Sequence, residues 1–87
     1  MEKTALVKLQ DMGQINSFVS TCCSLPNYHI DLHQGRMIIE GKSLLGLLAL
    51  DLSVPVKMYI FNQKEELIEL TPSLHKLFSP FIVEEEA

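Results

Sequence analysis

The chain reads as an α+β protein, an open-faced β-sandwich in which a four-stranded antiparallel sheet carries helices on one face, in the order βαββαβα. Three observations predict this. Apolar and polar residues alternate with period two in several short stretches, and apolar residues recur at helical spacing after the first of them. Gly, Pro or a capping residue marks the junctions. Eighty-seven residues at 47% hydrophobic and 21% charged suit one domain over 1–87 rather than a disordered segment or several domains.

Residues 4 to 10 alternate as the first strand, with Ala5, Val7 and Leu9 on one side and Thr4, Leu6, Lys8 and Gln10 on the other. From 14 to 25, Ile15, Phe18, Val19 and Cys22 fall at helical spacing, and Pro26-Asn27 ends that helix. Residues 28 to 33 and 36 to 40 form two short strands around a tight turn at Gln34-Gly35. In the stretch Gly41 to Leu52 the second helix follows Ser43, its N-cap, with Leu44, Leu45, Leu47, Leu48, Leu50 and Leu52 after it. Ser53 to Pro55 connects it to a fourth strand, where Val56, Met58 and Ile60 alternate with Lys57, Tyr59 and Phe61.

Asn62 and Glu65 then read as a capping arrangement for a helix lined by Leu67, Ile68 and Leu70, and Thr71-Pro72 restarts the pattern. The segment is either two short helices or one kinked there. Ser79-Pro80 ends it, and 83–87 reads as a frayed tail. Val7, Leu9, Phe18, Val19, Ile30, Leu32, Leu44, Leu47, Met58 and Ile60 are expected to share one core.

Several function classes fit poorly. A net charge of −4 with seven basic residues argues against nucleic-acid binding, which depends on clustered Lys and Arg. No apolar run approaches the roughly 20 residues of a membrane span, and the start alternates like a strand instead of a signal peptide, so a cytoplasmic location is expected. Cys22 and Cys23 are neighbours on a helix, diverge by about 100°, and are expected to stay reduced. His29, Asp31 and His33 share the outward phase of one strand. Residues at i and i+4 of a strand lie roughly 13 Å apart, too far for both histidines to grip one ion. No metal, cofactor or nucleophile–base–orienter set is predicted, and the chain is not expected to be an enzyme.

The stretch Lys42-Ser43-Leu44-Leu45-Gly46-Leu47-Leu48-Ala49-Leu50-Asp51-Leu52 resembles the regulatory-serine helix of HPr, the histidine-containing phosphocarrier protein of bacterial sugar phosphotransferase systems. The resemblance extends over about residues 4 to 82 through the hairpin before this helix and the strand after it. It implies a strand order 1-4-2-3, with Val56 to Phe61 at the centre of the sheet. The family carries phosphate on a histidine in a loop reading Gly-[Ile/Leu]-His-[Ala/Thr]-Arg-Pro-Ala. The corresponding residues here, Gln10 to Ser17, contain no histidine, arginine or proline. Phosphoryl transfer through imidazole needs that nucleophilic nitrogen and a cation for the phosphoryl oxygens. The resemblance is therefore to a degenerate, non-catalytic member.

What it implies about function centres on Ser43. In the family the aligned serine is phosphorylated by a dedicated kinase, and the product binds a transcription regulator in carbon catabolite repression. The catabolite repression HPr also keeps the serine without the histidine. Protein partners are thus expected: a serine kinase and a transcription regulator, or phosphotransferase components. The residues themselves allow two roles for Ser43, a helix cap or a switch. A helix with leucine on nearly every face cannot bury all of it in a small domain, so Lys42, Leu45 and Leu48 are the expected docking residues. The alternative is a constitutive binding or assembly module that keeps only the fold. A second candidate surface is the open sheet face, where Leu6, Ile38, Tyr59 and Phe61 form either an apolar patch fit for a homodimer or partner, or scattered residues half-covered by lysine stems.

Overall fold

Strands form where alternation predicts them, and one more follows. The structure, a computed structural model, describes residues 3–83. Its elements are β1 (Thr4–Val7), α1 (Met12–Cys23), β2 (His29–Gln34), β3 (Met37–Glu40), α2 (Leu44–Leu47), β4 (Val56–Phe61), α3 (Pro72–Phe78) and β5 (Ile82–Val83). The strands form one antiparallel sheet in the order β3-β2-β4-β1-β5. The chain is α+β, and β4 lies between β2 and β1 as expected.

The fifth strand corrects the expectation of four. Phe81 is buried and pulls the chain back to the sheet, so that Ile82 pairs with Val7 and Val83 with Leu6. Two residues are too few to show an alternation. Val83 is therefore paired rather than frayed; the rest of the expected tail, 84–87, lies outside the described residues.

Side chains on one face of the sheet meet the helices. Val7, Leu9, Ile30, Leu32, Val56, Met58 and Ile60 are buried against Ile15, Phe18 and Cys22 of α1 and Leu74 and Phe78 of α3. Phe18 is the hub. Its ring lies 5.6 Å from that of Phe78 and 5.2 Å, edge-on, from that of Phe81. Such pairs add to the area term. Two expected core residues differ: Val19 is half-buried, and Leu44 is 38% exposed because α2 turns it outward.

The helix boundaries follow from the caps. Asp11 accepts the Gln14 N–H at 2.8 Å and starts α1 at Met12, two residues earlier than predicted. The hairpin loop is Gly35-Arg36 rather than Gln34-Gly35: Gln34 pairs with Met37, and Gly35 takes φ +60°, which glycine adopts without steric cost.

The segment from 62 to 70 is not a helix. Asn62 Oδ1 accepts the Lys64 and Glu66 N–H groups at 2.9 and 3.0 Å, and Glu65 sits at φ +62°. That turn sends the chain back along β4, where Ile68 N–H donates to Ile60 O at 2.9 Å and Leu67 bridges Phe61. An asparagine carbonyl serves a turn as readily as a cap, and here the turn buries Leu70. The second expected helix does form: Thr71 Oγ1 accepts the Leu74 N–H at 3.3 Å, and Pro72 occupies the first turn. Among the described residues, no helix is long and apolar enough to cross a membrane.

Candidate functional site

The turn that carries Ser43 is built by local hydrogen bonds. Ser43 N–H donates to Glu40 O at 3.1 Å, and Ser43 Oγ accepts the Gly46 N–H at 3.0 Å. The cap role of Ser43 is therefore filled. The helix it starts is one turn long, not the run to Leu52 that the sequence suggests. After Leu47 the bonds shorten to Ala49 N–H to Gly46 O (3.0 Å) and Leu50 N–H to Leu47 O (3.1 Å), a 3₁₀-type close.

A side chain from another element then ends it. The Gln34 amide clamps the backbone of Asp51 in both directions, Nε2 to Asp51 O and Asp51 N–H to Oε1, each at 2.8 Å. Asp51 in turn accepts from the Ser53 N–H (3.0 Å) and Oγ–H (2.6 Å), and these bonds hold its carboxyl below the ordinary range. Leu-rich spacing supports a longer helix, but the chain must turn here to enter β4 at Val56.

The short helix decides which leucines are free. Leu47 and Leu50 are buried, whereas Leu45 is 82% exposed, Leu48 48% and Leu44 38%. Gly46 explains how α2 comes so close to the sheet: a Cβ there would meet Ile39 Cγ2 at 2.7 Å and Ser43 Oγ at 3.1 Å. Gly41 is similarly hemmed in, with Cys22 Sγ at 2.9 Å and Ile30 Cγ2 at 3.0 Å from its would-be Cβ.

Lys42 departs from its expected docking role. Its half-buried side chain reaches back to the α1–β2 loop, where Nζ donates to Leu25 O at 3.0 Å and Tyr28 O at 2.8 Å. An ammonium with two carbonyl acceptors is a structural tie, not a free surface charge. Nothing in the sequence distance between Lys42 and that loop announced it. Beneath this tie Cys22 is buried and its thiol is pushed up to about 12, by burial first and by Cys23 second, with Lys42 pulling the other way. Cys23 is exposed and free.

The stretch aligned with the phosphocarrier loop is the start of α1. Asp11 and Gln14 close it on themselves, the former as N-cap and the latter accepting the Gln10 N–H at 2.8 Å. A carboxylate of the chain thus sits at this helix N-terminus. The three histidines lie elsewhere: His75 is exposed in the last turn of α3, and His29 and His33 stand on the open sheet face.

That face is less apolar than four of its residues suggest. One cross-strand row runs Ile38, His33, Lys57, Leu6, Val83, so His33 and Lys57 separate Ile38 from Leu6. The His33 ring lies 4.2 Å from that of Tyr59, and His29 lies 6.0 Å from Phe61. Leu6, Ile38, Tyr59 and Phe61 share the face as expected, but they do not make one continuous patch. His29 Nε2 contacts Asp31 Oδ1 at 2.7 Å, an ion pair only when the imidazole is protonated. Among the described residues no cluster of three His, Cys, Asp or Glu is arranged to hold a metal. A shallow cleft of about 360 Å³, bordered by Tyr28, His29, Glu40, Lys42, Asn62 and Glu65, opens at the same end of the sheet.

Comparison with known proteins adds nothing to this geometry: no family model, curated protein or solved structure matches the chain.

Proposed function

We propose that this chain is a non-catalytic protein-interaction module of the HPr-like type, docking through Leu44, Leu45 and Leu48 and switched by phosphorylation of Ser43. The strand order β1-β4-β2-β3 and the element sequence up to α3 support the HPr-like fold. The observation that carries the docking role is the exposure of Leu45, 82%, on a turn fixed at both ends by the Ser43 cap and the Gln34 clamp. Fully covering one leucine contributes roughly 1.5 to 3 kcal/mol. A rigid platform loses little entropy on binding, so more of that contribution reaches affinity.

Phosphate at Ser43 adds a charge near −2 beside these leucines and alters docking without remodelling the sheet. A serine kinase and a transcription regulator, or phosphotransferase components, are the partner classes that the resemblance implies, in the cytoplasm of a bacterium. Asp11 and Gln14 at the start of α1 supply no nucleophilic nitrogen, which supports a role without phosphoryl carriage. A constitutive binding module is the second reading. It is favoured by Ser43 Oγ already serving as a cap and by Lys42 turning away from Ser43 toward the α1–β2 loop.

The test is capture of partners from the native cytoplasm by unmodified and Ser43-phosphorylated protein. A partner bound by the phosphorylated form alone, and lost in Leu48→Ala, supports the switch. Equal capture by both forms supports constitutive docking. Labelling of a histidine by phosphoenolpyruvate and the general phosphotransferase enzyme at stoichiometric level overturns the non-catalytic reading.

A further inference from the structure

We infer that β3 is a self-complementary edge, on which a second copy of this chain pairs antiparallel about Ile38 to continue the sheet across a two-fold axis. This deepens the proposed docking function, on which it rests, by naming an occupant for the margin of the molecule that α2 and β3 share.

The edge is open at its centre, where Met37, Ile38 and Ile39 carry no charge. Among the described residues β3 is the outermost strand on its side, with β2 as its one neighbour. Natural edges are blunted by shortness, charged side chains, proline, a bulge or an inward charge, and of these β3 has its four-residue length and Glu40 at its end. Met37–Glu40 contains no lysine or proline, its pairing with β2 runs through four consecutive residues without a bulge, and Met37 and Ile38 are 39% and 60% exposed.

Geometry selects the register. Met37 closes the hairpin turn with Gln34, so its N–H faces β2, and by alternation the N–H and C=O of Ile38 face the empty side. Partners across an antiparallel ladder share a face. Ile38 is on the open face, opposite His33, and Ile39 is on the helix side, against Gly46. A two-fold pairing must therefore match Ile38 with Ile38 or Ile39 with Ile39. Only the first places outward-facing backbone groups at its centre.

The same register pairs opposite charges. With Ile38 on the axis, Arg36, the loop residue just before β3, comes beside Glu40 of the other copy at both ends of the joint. The Glu40 side chain is available for this, while its C=O already accepts the Ser43 N–H at 3.1 Å. Its side chain is 66% exposed, with a loose contact of 3.8 Å to His29 Nδ1. The register centred on Ile39 instead sets Glu40 against Ile38 and forfeits the charge match. α2 packs against β3 through Gly46, on the helix side of the sheet.

The experiment is sedimentation velocity of the full chain from micromolar to millimolar concentration, with three variants. Ile38→Lys is expected to abolish self-association without lowering the melting temperature, since Ile38 contributes to no part of the core. Arg36→Glu and Glu40→Arg each set like charges opposite each other and are expected to weaken the dimer about tenfold or more. Mixed together, the two single variants restore both charge pairs and form a heterodimer as tight as the parent. Within one chain these residues do not face each other, so an intramolecular effect cannot produce that rescue. A monomer at millimolar concentration, a dimer that survives Ile38→Lys, or a mixture that fails to pair overturns the inference. A monomer that still captures a Ser43-phosphate-dependent partner overturns it while leaving the proposed function intact.

Discussion

Replacing Lys42 by methionine separates a docking lysine from a structural one. Methionine keeps the unbranched stem and removes the charge and the donors, so packing along the chain changes little. What is lost is the pair of bonds from Nζ to Leu25 O and Tyr28 O, at 3.0 and 2.8 Å. A hydrogen bond to a charged donor contributes roughly 1.5 to 3 kcal/mol when buried. The site is half-exposed, and the freed carbonyls regain water, so the pair together is expected to contribute about 2 kcal/mol. For a domain of this size that lowers the melting temperature by about 8 to 15 °C. The assay is calorimetric or circular-dichroism melting of wild type, Lys42→Met and Lys42→Arg, with Arg expected to recover part of the loss. The reasoning is refuted if Lys42→Met melts within about 2 °C of wild type, because Lys42 is then a surface residue after all.

Packing and the buried thiol supply the remaining expectations. Phe18→Ala empties the space between the rings of Phe78 and Phe81 and is expected to cost about 3 to 5 kcal/mol in urea unfolding, with β5 losing amide protection first. Gly46→Ala drives a methyl to 2.7 Å from Ile39 Cγ2 and is expected to cost about 1 to 3 kcal/mol, while Ser43→Asp, which keeps the cap, melts near wild type. For Cys22 the folded thiol ionises near 12 against 9.0 for a free one. Its contribution is therefore complete below pH 9 and is lost as pH rises from 9 toward 12, because only the unfolded thiol ionises in that window. The urea midpoint of wild type is expected to fall more steeply across that range than that of Cys22→Ala, and a disulfide reagent at neutral pH is expected to modify Cys23 alone in the native protein.

The sheet was legible because its signal is local. Val56, Met58 and Ile60 alternate with their neighbours and mark β4 as a strand with one buried face, whereas its place between β2 and β1 was implied by the resemblance and not by the alternation. The caps at Ser43 and Thr71 were legible for the same reason, since each bonds an amide three residues on. What stayed hidden needs a partner distant in sequence. The Gln34 clamp on Asp51 shortens α2 from another element, and Lys42 is spent on a loop that precedes β2. Asn62 shows a second kind of miss, where one side chain fits a cap and a turn equally well, and here it serves the turn that precedes buried Leu70. For the candidate site, exposure of Leu45 and Leu48 follows from the excess of leucine, but the failure of the open-face patch depends on register, which places His33 and Lys57 between Ile38 and Leu6.

The slot of β1, between β4 and β5, also governs the order in which this chain acquires structure during synthesis. Both partners of the first strand are made long after it: Thr4 pairs with Tyr59, and Leu6 with Val83. At about 5 to 20 residues per second, the nascent β1 waits some seconds for β4 and longer for β5. During that interval both strands of the β2–β3 hairpin have been made and can pair locally, because they are adjacent and their loop is short. The open edge of β3 is thus presented before the opposite flank of the sheet has formed. Until β4 arrives β2 also has an unpaired edge, which β4 then closes, whereas the edge of β3 stays open in the finished sheet.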